Sequence, residues 1–179
     1  MITPLDAWKE AVPDVLGSQS NRTVDEYIKI VSQFDVVNNP RYKPSKLGFG
    51  ATYCNIFLWD VTKAFGCEIP HWIDLTGARC DVGKGKEQNA NRVCDWLDGY
   101  GFQYAGWMLV SEQTAIQRVN TGHPTVTVWK NTAGIGHVAV IMPSTTTTLI
   151  AQAGSHNLYN AKLANGFGVG RTLKFYTHE

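Results

Sequence analysis

Cys54 stands at the mouth of a nearly all-apolar run, Ala51-Thr52-Tyr53-Cys54-Asn55-Ile56-Phe57-Leu58-Trp59-Asp60-Val61. His137 opens a second one, in Gly134-Ile135-Gly136-His137-Val138-Ala139-Val140-Ile141-Met142-Pro143. A thiol and an imidazole are the pair that acyl transfer needs, one to attack a carbonyl and the other to take and return the proton. With Thr52 as the expected N-cap, Cys54 falls in the first turn of a helix. There the helix dipole and the free backbone N–H groups lower a thiol's pKa from about 8.5. The same N–H groups suit an oxyanion.

The base has to come from elsewhere in the fold. His71, His123, His156 and His178 fall in loops or at the terminus, whereas His137 starts a strand pattern with Ala139 and Ile141 leaving room on its side. His156, in a Gly/Asn-rich loop, is the main competitor. A third group should orient the imidazole. If 137–142 and 149–153 form a hairpin turning at Ser144-Thr145, residues 137 and 152 oppose each other on one face, which nominates Gln152. A one-residue slip would turn Gln152 away, leaving Ser155 and Asn157 as substitutes. Tyr42, Tyr53 and His156 are candidate substrate-binding residues, with ordinary packing as the competing role for Tyr42. The bland alternative for the pair is a core cysteine and a structural histidine.

The elements that must position these residues are legible in outline. Residues 4–16 carry scattered apolar positions and suggest a short helix docking Trp8, limited by Pro13. Thr23-Val24-Asp25-Glu26 reads as a capping box, followed by an amphipathic helix to about residue 36. Residues 38–45, with two prolines, form a loop. The segment 52–65 is apolar nearly all round and predicts a buried helix that Gly66 ends. Residues 67–86 look irregular; Gly83-Lys84-Gly85-Lys86 lacks the spacing of a phosphate loop and reads as solvated. A helix over 88–98, a strand over 102–110 and a helix from Ser111 to near Gly122 follow. Strands are expected over 125–130, 137–142, 149–153 and 172–177, with an irregular Asn/Gly-rich stretch at 155–170. Helices first and an antiparallel meander last make an α+β pattern.

Composition bounds the rest. The 179 residues suit one domain, 1–179, with residues 1–45 as an N-terminal helical extension packed on it. Apolar residues make up 44% and charged residues 17%, as in a folded globular chain. The net charge of +1, without a Lys/Arg cluster, argues against a nucleic-acid surface. No apolar run is long enough to span a membrane. The N-terminus lacks the basic and apolar regions of a secretory signal, so synthesis in the cytoplasm is expected, with delivery by a route the sequence does not display. Cys67, Cys80 and Cys94 leave room for one disulfide at most, or for three buried thiols. Neither a zinc spacing nor H-E-x-x-H occurs, and no metal or cofactor is expected.

A cysteine at a helix start followed by Gly136-His137-Val138-Ala139-Val140-Ile141 on a strand resembles the papain-like NlpC and CHAP superfamily of cell-wall hydrolases. The likeness spans roughly residues 50–155. It implies a papain-like fold, a nucleophile helix packed on a C-terminal antiparallel sheet. It also implies a cysteine peptidase or amidase that cuts an amide of peptidoglycan, in the stem peptide or at the sugar–peptide link. Carried over, Cys54 is the nucleophile, His137 the base and Gln152 the orienting residue. CHAP domains commonly place Gln before the cysteine and NlpC members Asp-Cys-Ser, whereas this chain has Thr52-Tyr53-Cys54-Asn55. Peptidoglycan is the implied partner, and the resemblance implies a protein that acts in the cell wall or periplasm or on a target cell. A holin, a secretion machine or an immunity protein would accompany an endolysin or effector role. Two other readings stand beside this one: an acyltransferase or transamidase of the same fold, and a non-catalytic binding module whose cysteines are core.

Overall fold

The structure is a computed structural model that describes residues 8–44 and 52–179. It is an α+β protein built on one six-stranded antiparallel sheet. In chain order the described elements are α1 (Val24–Ser32), α2 (Cys54–Ala64), β1 (Trp72–Ile73), β2 (Lys86–Glu87), α3 (Ala90–Trp96), β3 (Trp107–Val110) and α4 (Glu112–Val119). Then come β4 (Thr125–Trp129), β5 (His137–Met142), β6 (Leu149–Gln152), β7 (Leu158–Lys162), α5 (Leu163–Phe167) and β8 (Lys174–His178). The large sheet runs β3-β8-β4-β5-β6-β7, and β1 and β2 form a separate small ladder. The last strand therefore inserts between β3 and β4, and β5 sits inside the sheet, flanked by β4 and β6.

Local signals account for most of these elements. Thr23 caps α1 by accepting from the Glu26 amide, but Glu26 reaches out to the Ser18 amide rather than back to the cap. Ser111 caps α4 and Asn89 caps α3 in the same way. Gly66, at φ +75, takes the left-handed position that closes α2. α3 runs on through a π-helical stretch, Leu97–Gly101, and a last turn at Phe102–Tyr104, so the expected strand over 102–110 shortens to β3.

Three expectations need correction. Trp8 is helical but residues 9–16 are irregular, so the expected helix over 4–16 does not continue past Trp8, and residues 4–7 lie outside the described residues. Trp8 nevertheless docks, its indole donating to Glu87 Oε1 (3.1 Å) edge-on to Trp72. The helix from Thr23 stops at Ser32, four residues short of the expected end, and Asp35 takes φ 42. The stretch 155–170, expected to be irregular, holds β7 and α5. β7 is an edge strand with a polar, half-buried pattern, a register irregularity against β6 and Asn160 at φ 56, so it carries none of the alternation that marks a strand in sequence.

The core runs through the whole described chain, from Tyr27, Ile30 and Val31 of α1 to Tyr176 of β8. Helix α2 lies at its centre. Ile56, Phe57, Leu58, Trp59 and Val61 are all buried, and each contributes roughly 1.5–3 kcal/mol of transfer free energy. It packs against β5, β6, α1 and α3. Its one buried acid, Asp60, receives Arg41 through two hydrogen bonds (2.7 and 3.0 Å) and the Tyr42 hydroxyl (2.7 Å). The nucleophile candidate is thus on a helix buried on nearly every face.

Candidate active site

Cys54 is the first residue of α2 and is 4% exposed. The N-cap is Tyr53, not Thr52, and no side chain caps the helix there. The first-turn N–H groups are therefore not consumed by a cap. The Cys54 and Asn55 amides, together with the Val138 amide of β5, favour the thiolate. The sulfur thus lies against β5 at the residue that follows His137. Burial outweighs these amides and pushes the thiol up to about 11, from an ordinary value of 9.0. The expectation of a lowered thiol pKa is overturned: at rest Cys54 is a neutral thiol. All four cysteines are free, with Cys67 and Cys94 buried and Cys80 half-buried.

His137 opens β5 and is bonded through Nε2 to Gln152 Oε1 at 2.6 Å. The other end of the Gln152 amide settles the proton. Its Nε2 faces the His156 carbonyl (3.3 Å), an acceptor only, so its Oε1 is left to accept from the histidine. His137 then carries its proton on Nε2 and presents Nδ1 as a lone pair. Burial holds the imidazole below its ordinary pKa, the Gln152 bond works the other way, and the Arg171 charge adds to the lowering. Burial therefore favours the neutral form of the imidazole.

The pairing that delivers Gln152 differs from the expected one. Val140 pairs with Ala151 and Ile141 with Ile150, so continuing the ladder sets Gln152 against Ala139 rather than against His137. The hairpin turns about one residue later than expected. Relative to the expected pairing the shift is two residues, an even number, so Gln152 keeps the His137 face and reaches it diagonally.

Two glycines make that reach possible. A Cβ at Gly154 would sit 3.5 Å from His137 Cε1 and 3.1 Å from Gln152 Nε2. One at Gly166 of α5 would meet Ile150 Cδ1 at 2.5 Å and Gln152 Cδ at 2.9 Å, with Gln152 Oε1 closer still. Phe167 packs its ring on His137, centroids 4.9 Å apart. On the other side, Trp129 of β4 is the direct register partner of His137 and shares its face. The Arg171 guanidinium lies over the Trp129 ring, 3.8 Å from its centroid.

The remaining expected residues fall elsewhere. Tyr42 is fully buried with its hydroxyl on Asp60, and its pKa is driven far upward by burial and that carboxylate, so it presents no phenol to a substrate. Tyr53 is half-buried against the core beside Cys54. His156 is exposed and serves the site with its backbone carbonyl, not its ring. Asn157 is not the orienting group: it donates to the Val36 and Tyr42 carbonyls (2.8 and 3.0 Å) and accepts from the Gly154 amide (3.1 Å). It fastens the β6–β7 connection to the loop ahead of α2. Ser155 is exposed, 3.5 Å from His156 Nδ1.

Sequence reasoning missed Gly154, Gly166, Phe167, Trp129 and Arg171, because each joins the site through strand pairing or chain return rather than through a local pattern. It also passed over a polar cluster beside the cysteine. Asn55 donates to the Gln88 carbonyl (2.7 Å) and meets His71 Nδ1 (3.3 Å), while buried His71 faces Glu87 Oε1 (3.0 Å) and stacks on Trp59. This cluster ties the long 67–88 loop to the start of α2. Among the described residues no three His, Cys, Asp or Glu side chains are grouped to hold a metal ion, and no helix is long and apolar enough to cross a membrane. Neither a protein-family model nor any curated protein sequence matches this chain.

Proposed function

We propose that the chain is a papain-like cysteine amide hydrolase acting on peptidoglycan, with Cys54 as nucleophile, His137 as base and Gln152 as its orienting residue. The observation that carries the reading is the His137–Gln152 pair: a neutral imidazole locked through Nε2 on the strand against which the Cys54 sulfur rests. A histidine held this way is fixed in tautomer and ring plane, and its free Nδ1 is the atom a base needs.

Because thiol and imidazole are both neutral at rest, the proton moves with the attack. His137 Nδ1 takes the Sγ proton as sulfur adds to the amide carbon. The oxyanion forms beside the uncapped first turn of α2, where the backbone N–H groups stabilise it. The imidazolium, stabilised by the Gln152 oxygen, hands its proton to the departing amine. Water then attacks the thioester with His137 again as base, which releases the acid and restores the thiol.

Peptidoglycan enters as substrate through the Gly-His-Val-Ala-Val-Ile resemblance. The test is mass spectrometry of soluble fragments released from purified sacculi by the protein and by Cys54→Ala. Fragments from the unsubstituted protein alone support the reading, and their masses name the bond. Equal release by both would refute Cys54 as nucleophile, and no release from several wall types would refute peptidoglycan as substrate.

A further inference from the structure

We propose that Arg171, held flat on Trp129 beside His137, is the specificity residue of this site and binds a free carboxylate on the substrate next to the scissile amide. The inference rests on the amide-hydrolase reading and adds the substrate chemistry to it.

The geometry has four parts. Trp129 is the cross-strand partner of His137 and faces the same way, so whatever lies on Trp129 lies next to the base. The guanidinium stacks on that indole at 3.8 Å, and its N–H groups have no hydrogen-bond partner among the described residues. Arg171 is exposed, and no carboxylate of the described residues lies within ion-pair distance of it. It also lines a cleft of about 450 Å3 together with Lys162, Gly168, Gly170 and Glu112. Lys162 is exposed and likewise has no ion-pair partner among the described residues. Glu112 is occupied by the Thr148 hydroxyl (2.5 Å).

A stacked arginine with an open fork is a carboxylate receptor, because the fork matches two carboxylate oxygens at once. Keeping an unpaired cation beside a base has a cost, since it disfavours the imidazolium. A substrate carboxylate seated on Arg171 removes that cost at the moment the imidazolium forms. Stem peptides built from γ-linked glutamate and a diamino acid carry such α-carboxylates beside their amide bonds.

The experiment compares two synthetic L-Ala–γ-D-Glu–diaminopimelyl–D-Ala peptides, one with free α-carboxylates and one with them converted to carboxamides, for the unsubstituted protein, Arg171→Gln and Arg171→Lys. The unsubstituted protein should favour the carboxylate peptide in kcat/KM by about tenfold or more, the size of a charge-assisted hydrogen-bond pair. Arg171→Gln should bring that ratio close to one, and Arg171→Lys should restore part of it. Circular dichroism and thermal melting of each variant verify that the fold is intact. Cys54-dependent cleavage with no preference between the peptides, or a preference that survives Arg171→Gln, would overturn the assignment and leave the hydrolase reading standing. Absence of Cys54-dependent cleavage of both peptides, with Cys54-dependent release from sacculi intact, would overturn this assignment alone; absence of both activities would overturn the hydrolase reading with it.

Discussion

Gly166→Ala separates a spacer that serves the site from an ordinary helix glycine. Within a helix, alanine is favoured over glycine by about 1 kcal/mol, and Gly166 sits inside α5 with no left-handed φ, so propensity alone predicts a more stable protein. The packing predicts the opposite. The added methyl would lie 2.5 Å from Ile150 Cδ1 and 2.9 Å from Gln152 Cδ, and overpacking of that kind costs about 1–3 kcal/mol. Ile150 is fully buried in the sheet and has little freedom to retreat, so the Gln152 amide must move. Its bond to His137 is then lost or lengthened.

A hydrogen bond to a group that becomes charged in the transition state contributes about 1.5–3 kcal/mol, which corresponds to roughly a tenfold to hundredfold loss of kcat. The assay is Cys54-dependent fragment release from sacculi, compared among Gly166→Ala, Gln152→Ala and the double variant. The double variant should be no slower than Gln152→Ala by more than about twofold, because both act through one hydrogen bond. A second readout is independent of activity: the imidazole 15N shifts of His137 should report the Nε2–H tautomer in the unsubstituted protein and a mixture in Gly166→Ala. Unchanged kcat and tautomer in Gly166→Ala, or losses that multiply in the double variant, would refute the reasoning.

The pH behaviour supplies two further expectations. Activity requires neutral His137, whose pKa lies below 6.5, so the acid limb of kcat/KM should fall below that value; Gln152→Glu, by stabilising the imidazolium, should move the limb upward. An acid limb above 6.5 in the unsubstituted protein would contradict the burial argument. The Cys54 thiol ionises near 11 in the folded protein against an ordinary 9.0, so native alkylation by iodoacetamide should keep accelerating between pH 9 and 11 instead of levelling off near neutrality. The sign for stability follows: over that window the unfolded chain binds fewer protons than the folded one, so unfolding becomes easier as pH rises. Cys67 and Cys94, whose pKa values burial also raises, add to the same trend, and urea midpoints at pH 8, 9 and 10 should decline in order. Finally, Tyr42→Phe should cost about 1–3 kcal/mol in urea denaturation, since it strips one donor from buried Asp60, while leaving kcat/KM within about twofold. A large activity loss without a stability loss would restore Tyr42 to the site.

The sequence by itself determined the parts of this protein whose signals are local. Helix α2 announces itself because every face of it is buried, and Gly66 marks its end with a conformation few other residues accept. β5 announces itself as an apolar run stopped by Pro143, and Cys54 and His137 stand out because polar, reactive groups open both apolar elements. Even Gln152 was within reach, since strand alternation constrains the face, though not the partner, of a residue on the next strand.

Tertiary structure decided what depends on distant chain. The true β5–β6 register, two residues from the expected one, is set by core packing of Val140, Ile141, Ile150 and Ala151 rather than by turn residues, because the four threonines at 145–148 specify no particular turn. The thiol's pKa was read with the wrong sign, because the helix dipole is a local property and desolvation is a global one: only the assembled core shows that burial exceeds what the first-turn amides return. β7 and α5 were hidden because β7 is a short edge strand that fully buries none of its residues and carries a register irregularity, so no alternation marks it. Through them the chain brings Gly166, Phe167 and Arg171 back to His137, a meeting that no spacing along the sequence encodes.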